Sequence, residues 1–294
     1  MNTLKKTFLI AVMAAITAPF MFAQNDSTET VADEKPVDNP VRATFGTNML
    51  IDNQTVMSPY KGSLNLIIYH RFSNFTNGIH DLFGIYGSAN TRLGLEYGIT
   101  DRIMVGIGTT KDYQLQDIEW KYAILQQTQS GSMPVSLSYY GNFVIDARDK
   151  SEFGPASEYK AMHRFSYFTQ LILARKFNKV FSFQAAPEFA WFNGIANEYT
   201  NLNFGLSLGA RAKFLPSQGL IAEYDIPFFS NNTTPASPKP NIGLGWEIGT
   251  STHCFQIFVA NYNQIIYQRN LVFNDRGGFS KENMQVGFNI TVRF

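Results

Sequence analysis

Two four-residue repeats, His70-Arg71-Phe72-Ser73 and His163-Arg164-Phe165-Ser166, place an imidazole and a hydroxyl near each other in the chain. A serine nucleophile with a histidine base is the pairing that acyl transfer needs. On a strand, residues three apart point to opposite faces, so each pair meets only across a bend. His80 beside Asp81 and His253 beside Cys254 offer metal-ligand types, but neighbours on a strand point apart and no second His or Cys falls at ligand spacing. No glycine loop suited to phosphate is present. The sequence therefore names no catalytic, metal or cofactor residues, and a hydrolase acting through His163 and Ser166 stands only as the alternative.

The polar residues that do recur systematically are charged, and they alternate with apolar ones. Thr91 to Thr110 reads as two alternating runs around Thr100-Asp101. Leu93, Leu95, Tyr97 and Ile99 lie opposite Arg92, Gly94, Glu96 and Gly98; Ile103, Val105 and Ile107 lie opposite Arg102, Met104, Gly106 and Gly108. A period of two around a tight polar turn predicts a β-hairpin. With a two-residue turn, opposed positions pair even with odd, against the shared faces. A bulge or a three-residue connection must shift the register by one and set Glu96 near Met104 or Gly106. The same alternation recurs in Asp117 to Gln126, Pro134 to Asp146, Phe181 to Trp191, Asn201 to Phe214, Leu220 to Phe228, Ile242 to Gly249 and Asn283 to Phe294.

The candidate lumen-lining residues on the polar faces are Arg92, Glu96, Arg102, Glu119, Lys121, Glu188, Arg211, Lys213, Glu223, Asp225, Glu247 and Arg293. With Arg71, Asp117 and their like included, basic and acidic members balance, which predicts a paired network rather than a pore of one dominant sign. Glycine and charge on one face, with large apolar side chains on the other, suit a barrel whose apolar side meets lipid.

Composition agrees. Aromatic residues make up 15% of the 294-residue chain, charged residues 16%, and the formal net charge is +1. A near-neutral chain gives no basis for nucleic-acid binding. Residues 1–23 have two lysines, an apolar run and a small residue before a polar switch, the layout of a cleaved signal peptide. Residues 24–60 read as a disordered periplasmic lead-in and N-terminal segment; the β-like piece 43–50 has no assigned place. Residues 61–294 read as the barrel.

Short connections alternate with long polar ones, and about twelve strands put both termini on the short-turn side. The fold class is all-β: an antiparallel up-and-down transmembrane β-barrel with short periplasmic turns and longer outer loops. The final Phe294, in register on the apolar face, reads as an insertion signal for the barrel-assembly machinery.

Between His70 and Tyr122 the chain resembles a family of membrane-bound β-barrels of unknown function from Gram-negative bacteria. The likeness rests on His70-Arg71-Phe72, Asp81-Leu82-Phe83-Gly84, the run Arg92 to Arg102, Gly106-Ile107-Gly108 and Lys121-Tyr122. It implies architecture and an outer-membrane location, and assigns no functional residue. The expected function is a non-enzymatic barrel with lipid as its surroundings. It is either a narrow pore for small polar solutes or a closed scaffold whose outer loops bind a ligand. A secreted soluble β-sandwich is the remaining alternative.

Overall fold

A computed structural model describes residues 38–155, 157–228 and 237–294. Residues 1–23, read as a signal peptide, and the first part of the expected lead-in lie outside the described residues. The strands are β1 (Leu64–Asn74), β2 (Asn90–Gly98), β3 (Ile103–Thr110), β4 (Leu115–Leu125), β5 (Ser136–Asp146) and β6 (Phe165–Lys176). They continue with β7 (Phe181–Phe192), β8 (Leu202–Leu215), β9 (Gln218–Phe228), β10 (Asn241–Gly249), β11 (His253–Ala260) and β12 (Gln285–Arg293). Each pairs antiparallel with the next, and β12 pairs with β1, closing the barrel. Closure leaves no unpaired strand edge, the condition for a sheet to cross a bilayer.

The faces are distributed inside out. Arg92, Glu96, Asp117, Glu119 and Lys121 are buried, whereas Leu93, Leu95, Ile107, Ile118, Leu244 and Ile257 are exposed. A soluble sandwich would reverse this assignment, so that alternative is discarded. Aromatic residues gather toward the two ends of the apolar belt. Phe143, Tyr167 and Trp191 stand opposite one another across β5, β6 and β7 on the long-loop side, and Tyr122 faces Tyr139 on the short-turn side.

The β2–β3 turn is the three-residue connection, one of the two ways in which the alternation allows the register to shift. Gly98 pairs with Met104 and the Ile99 N–H reaches the Ile103 carbonyl at 2.9 Å, so the connection is Thr100 to Arg102. The Thr100 hydroxyl accepts from the Arg102 and Ile103 N–H groups at 3.1 and 3.0 Å, which fixes the longer turn. The one-residue shift places Glu96 opposite Gly106 and keeps each face intact.

Two segments read as periplasmic lead-in and outer loop enter the barrel instead. Residues 44–57 run up from the short-turn end, turn at Leu50–Asn53 and return before β1. The Leu50 N–H donates to the Asn53 carbonyl at 2.9 Å, and the Thr55 N–H to the Asn48 carbonyl at 2.7 Å. Leu50, Ile51, Gln54 and Thr55 are fully buried, so this hairpin is a plug. From the other end, the β11–β12 connection forms a short helix, α1 (Tyr267–Phe273), with Tyr267, Gln268, Asn270, Leu271 and Val272 buried. The β-like piece 43–50 finds its place in the plug, and the acidic, proline-containing composition that predicts disorder belongs to the residues before it.

Candidate functional site: a filled lumen and its outer mouth

Glycine explains how long charged side chains fit inside so narrow a wall. Gly94 and Gly108 face each other on β2 and β3, and a Cβ on Gly94 would lie 2.8 Å from Arg92 Nη1. The missing side chains leave the space that the Arg92 guanidinium occupies. There Arg92 donates through Nε to Asp117 Oδ1 at 3.0 Å and through Nη2 to Asp117 Oδ2 at 2.5 Å. A further bond to Glu119 Oε1 spans 3.0 Å, and the guanidinium lies over the Tyr69 ring at 5.3 Å. The Tyr140 hydroxyl donates to the second Glu119 oxygen at 2.7 Å.

The plug completes the hydrogen bonding of the wall. Asn48 donates its amide to Glu96, and Lys121 donates to the carbonyls of Asn48 and Met57 at 3.2 and 2.6 Å. Glu223 accepts the backbone N–H groups of Asp52 and Asn53 at 3.0 and 2.8 Å and the Tyr262 hydroxyl at 3.1 Å. Asp225 accepts from the Asn53 amide at 2.6 Å, and Gln170 bridges Asn53 and Glu188 at 2.7 and 2.5 Å. Arg71 pairs with Asp52 at 3.2 Å. Nearer the short-turn end, Arg211 pairs with Glu247 at 2.7 Å and half-buried Arg293 reaches the Gly46 carbonyl at 2.5 Å.

Arg102 is a correction: it sits exposed in the β2–β3 turn and reaches the Ile124 carbonyl at 3.4 Å, outside the lumen wall. Lys213 is half-buried near the end of β8, at the rim rather than deep in the interior. Phe294 is 71% exposed, its backbone N–H donating to the Leu64 carbonyl at 2.8 Å.

The expected balance of charge also changes. Asp52, Glu96, Asp117, Glu119, Glu188, Glu223, Asp225 and Glu247 are all buried, against Arg71, Arg92 and Lys121. Much of this acidic excess is met by amide and backbone donors, many supplied by the plug. Asn48, Asp52, Asn53 and Gln54 are the functional residues that alternation cannot find, because a hairpin inside a lumen has no lipid face. Their one sequence signal is the polar run Asp52-Asn53-Gln54-Thr55, set behind Met49-Leu50-Ile51 and close to β1.

Plug and helix meet in the middle. Asn270 donates to Asp52, and Gln54 donates to the Tyr267 hydroxyl at 2.9 Å. Phe168 and Tyr140 pack on the Tyr267 ring with centroids 5.3 Å away in both cases. At the short-turn rim the chain before the plug is tied to the β4–β5 turn. The Val41 N–H donates to the Gln127 carbonyl at 2.7 Å, and Asp38 accepts from Ser132. The Ser132 and Ser130 hydroxyls hold the exposed Asp38 carboxyl below its ordinary pKa.

Beyond α1, on the long-loop side, an open pocket of about 710 Å³ is lined by Arg148, Arg164, Arg269, Asn193, Asn201 and Phe273 among others. His163 and Ser166 also line it, but the Ser166 hydroxyl accepts from Gln268 at 3.1 Å, while His163 Nδ1 accepts the Lys160 N–H at 3.4 Å. His70 sits outside the lumen, its ring stacked on Phe288 at 4.8 Å. Among the described residues, no three His, Cys, Asp or Glu side chains group in a way that could hold a metal ion.

A closed twelve-strand barrel with apolar side chains outside and charge inside is a membrane barrel. The chain belongs to the family described as membrane bound beta barrel domain (DUF5777), whose model matches residues 45–294, plug included. Comparison with curated proteins gives no match. Among solved structures, the chain is similar to the NanC porin with a TM-score of 0.49 at 10% identity, covering 79% of this chain and 98% of that one. It is similar to the KdgM porin with a TM-score of 0.44 at 8% identity and the same coverage. A triple mutant of the Rhodopseudomonas blastica porin gives 0.32 at 12% identity, covering 70% of this chain and 55% of that one.

Proposed function

We propose that the protein is a non-enzymatic outer-membrane barrel that is closed at rest and presents a ligand-binding mouth at its long-loop end. The carrying observation is that residues 44–57 and α1 fill the lumen from opposite ends and join through Asp52–Asn270 and Gln54–Tyr267. In this reading residues 1–23 are a cleaved export signal, the short turns face the periplasm, and Phe294 is read by the assembly machinery during insertion. The bonds between plug and wall are polar and reversible, which favours a second reading: a narrow pore for small polar solutes that opens when the plug leaves.

Planar bilayers separate these readings. Full-length protein should give no steady conductance, and deletion of residues 44–57 should give an open channel in a barrel that is easier to unfold. Gly209→Val provides a milder perturbation. Gly209 faces Leu50 so closely that a Cβ would collide with the Leu50 side chain, and overpacking of this kind typically costs about 1–3 kcal/mol. That variant should conduct intermittently. Steady conductance from the full chain, equal to that of the deletion, would replace the closed scaffold with the pore.

A further inference from the structure

We infer that the unplugged lumen passes small cations in preference to anions, and that Glu188, Glu223 and Asp225 set the preference. This rests on the reading above in which the lumen opens once the plug leaves. The three carboxylates stand together on one sector of the wall. Glu188 of β7 lies opposite Gly205, Asp225 of β9 opposite Ser207 and Asn241, and Glu223 opposite Gly209 and Gly243. They occupy three successive inward-facing rows between β6 and β10, and none of those rows holds a basic side chain. All three are buried.

In the closed state these carboxylates meet neutral donors rather than cations. The plug turn gives Glu223 the backbone N–H groups of Asp52 and Asn53, and gives Asp225 the Asn53 amide. The wall adds Gln170 to Glu188 at 2.5 Å and Asn241 to Asp225 at 3.4 Å, and the Tyr262 hydroxyl reaches Glu223 at 3.1 Å. Two amide oxygens in the same rows, Gln170 Oε1 and Gln184 Oε1, are buried with no hydrogen-bond partner among the described residues. Carboxylate and amide oxygens gathered in one sector suit a hard cation and repel an anion. Removing the plug withdraws the Asp52 and Asn53 donors and leaves the carboxylates facing the open lumen.

The basic side chains of the wall do not cancel this sector. On β2 to β4, Arg92 and Lys121 already face Glu96, Asp117 and Glu119. Arg71 of β1 bonds to Asn289 as well as to Asp52 of the plug. Turned to Glu223 after the plug had gone, it would still leave Glu188 and Asp225 without a cation. Lys176 and Arg211 stand one row nearer the short-turn end than Glu223. There Arg211 pairs with Glu247, and half-buried Lys176 donates to the Arg42 carbonyl at 2.9 Å. Lys213 and Arg293 lie at the rim, where salt water screens them. Charge deep in a low-dielectric wall is screened less and acts on ions at closer range, so the acidic interior decides the sign.

The test is the reversal potential across a KCl gradient in planar bilayers, recorded on protein lacking residues 44–57. K⁺ should permeate severalfold better than Cl⁻. Glu188→Gln, Glu223→Gln and Asp225→Asn combined should abolish most of that preference, whereas Lys213→Gln at the rim should change it little. Heat-modifiable migration on gels reports whether each variant folds. Should the deletion fail to fold, the measurement is made on brief openings of Asn53→Ala, which keeps the plug and loses its bond to Asp225. Equal or greater permeation of Cl⁻ overturns the inference and leaves the opening of the lumen intact. A K⁺ preference that survives the combined substitution overturns its assignment to these residues. Folded protein that stays silent sinks the opening itself, and the inference with it.

Discussion

Replacing Arg92 with Met tests whether the interior network is dry and structural. The Arg92 side chain is 2% exposed and makes three charge-assisted bonds, two to Asp117 and one to Glu119. Methionine retains most of the apolar stem beside Tyr69, so the substitution removes charge rather than volume. Asp117 then lies buried with no cation beside it, whereas Glu119 keeps the Tyr140 hydroxyl at 2.7 Å. Breaking a buried pair from one side costs about 3–5 kcal/mol. The assay is a urea titration of folding into liposomes, followed by the heat-modifiable shift on gels. Arg92→Met with Asp117→Asn should recover to within about 1–2 kcal/mol of wild type, because the stranded charge is gone. A single-variant cost under about 1 kcal/mol, the magnitude of a solvated pair, would refute the reasoning and make the lumen wet at that depth.

Two further outcomes bear on the outside and on assembly. Leu208→Arg, midway along β8 on the apolar face, should destabilise the barrel by about 2–4 kcal/mol in the same titration; no loss would mean that Leu208 does not meet the bilayer midplane. Removal of Phe294 should leave exported chain unassembled and lower its membrane yield, since the side chain is exposed and its loss empties no core. Normal yield from that truncation would withdraw the insertion signal.

The wall was legible because lipid imposes a strict period of two. Arg92, Glu96, Glu119 and Lys121 fall inside as their alternation requires. Arg102 failed because turn length, set by the Thr100 hydroxyl, decides which residue is the first to face inward. The contents of the barrel were not legible. Residues 44–57 and α1 are enclosed by protein on all sides, so polar and apolar residues mix without period, and Ile51 and Asp52 are both buried. The mouth pocket was hidden for another reason. Its arginines come from the β5–β6 and β11–β12 connections, far apart in sequence, and meet through Tyr113 from a third.

The line where the first and last strands join is where the plug is most firmly held. Arg71 of β1 and Asn289 of β12 bond to each other at 2.9 Å, and both donate to the Ile51 carbonyl, at 3.0 and 2.8 Å. Thr47 lies 3.2 Å from Thr291, and Gly46 receives Arg293. The plug is therefore a clasp across the joint as well as a stopper. It immediately precedes β1 in the chain, and α1 comes shortly before β12, so the two fillers flank the strands that meet last. Until β12 docks on β1, the plug lacks its ties to Asn289, Thr291 and Arg293; until the plug is seated, the joint lacks its internal ties. Filling the barrel and closing it draw on the same bonds, and a chain that opened its lumen fully would loosen its own seam.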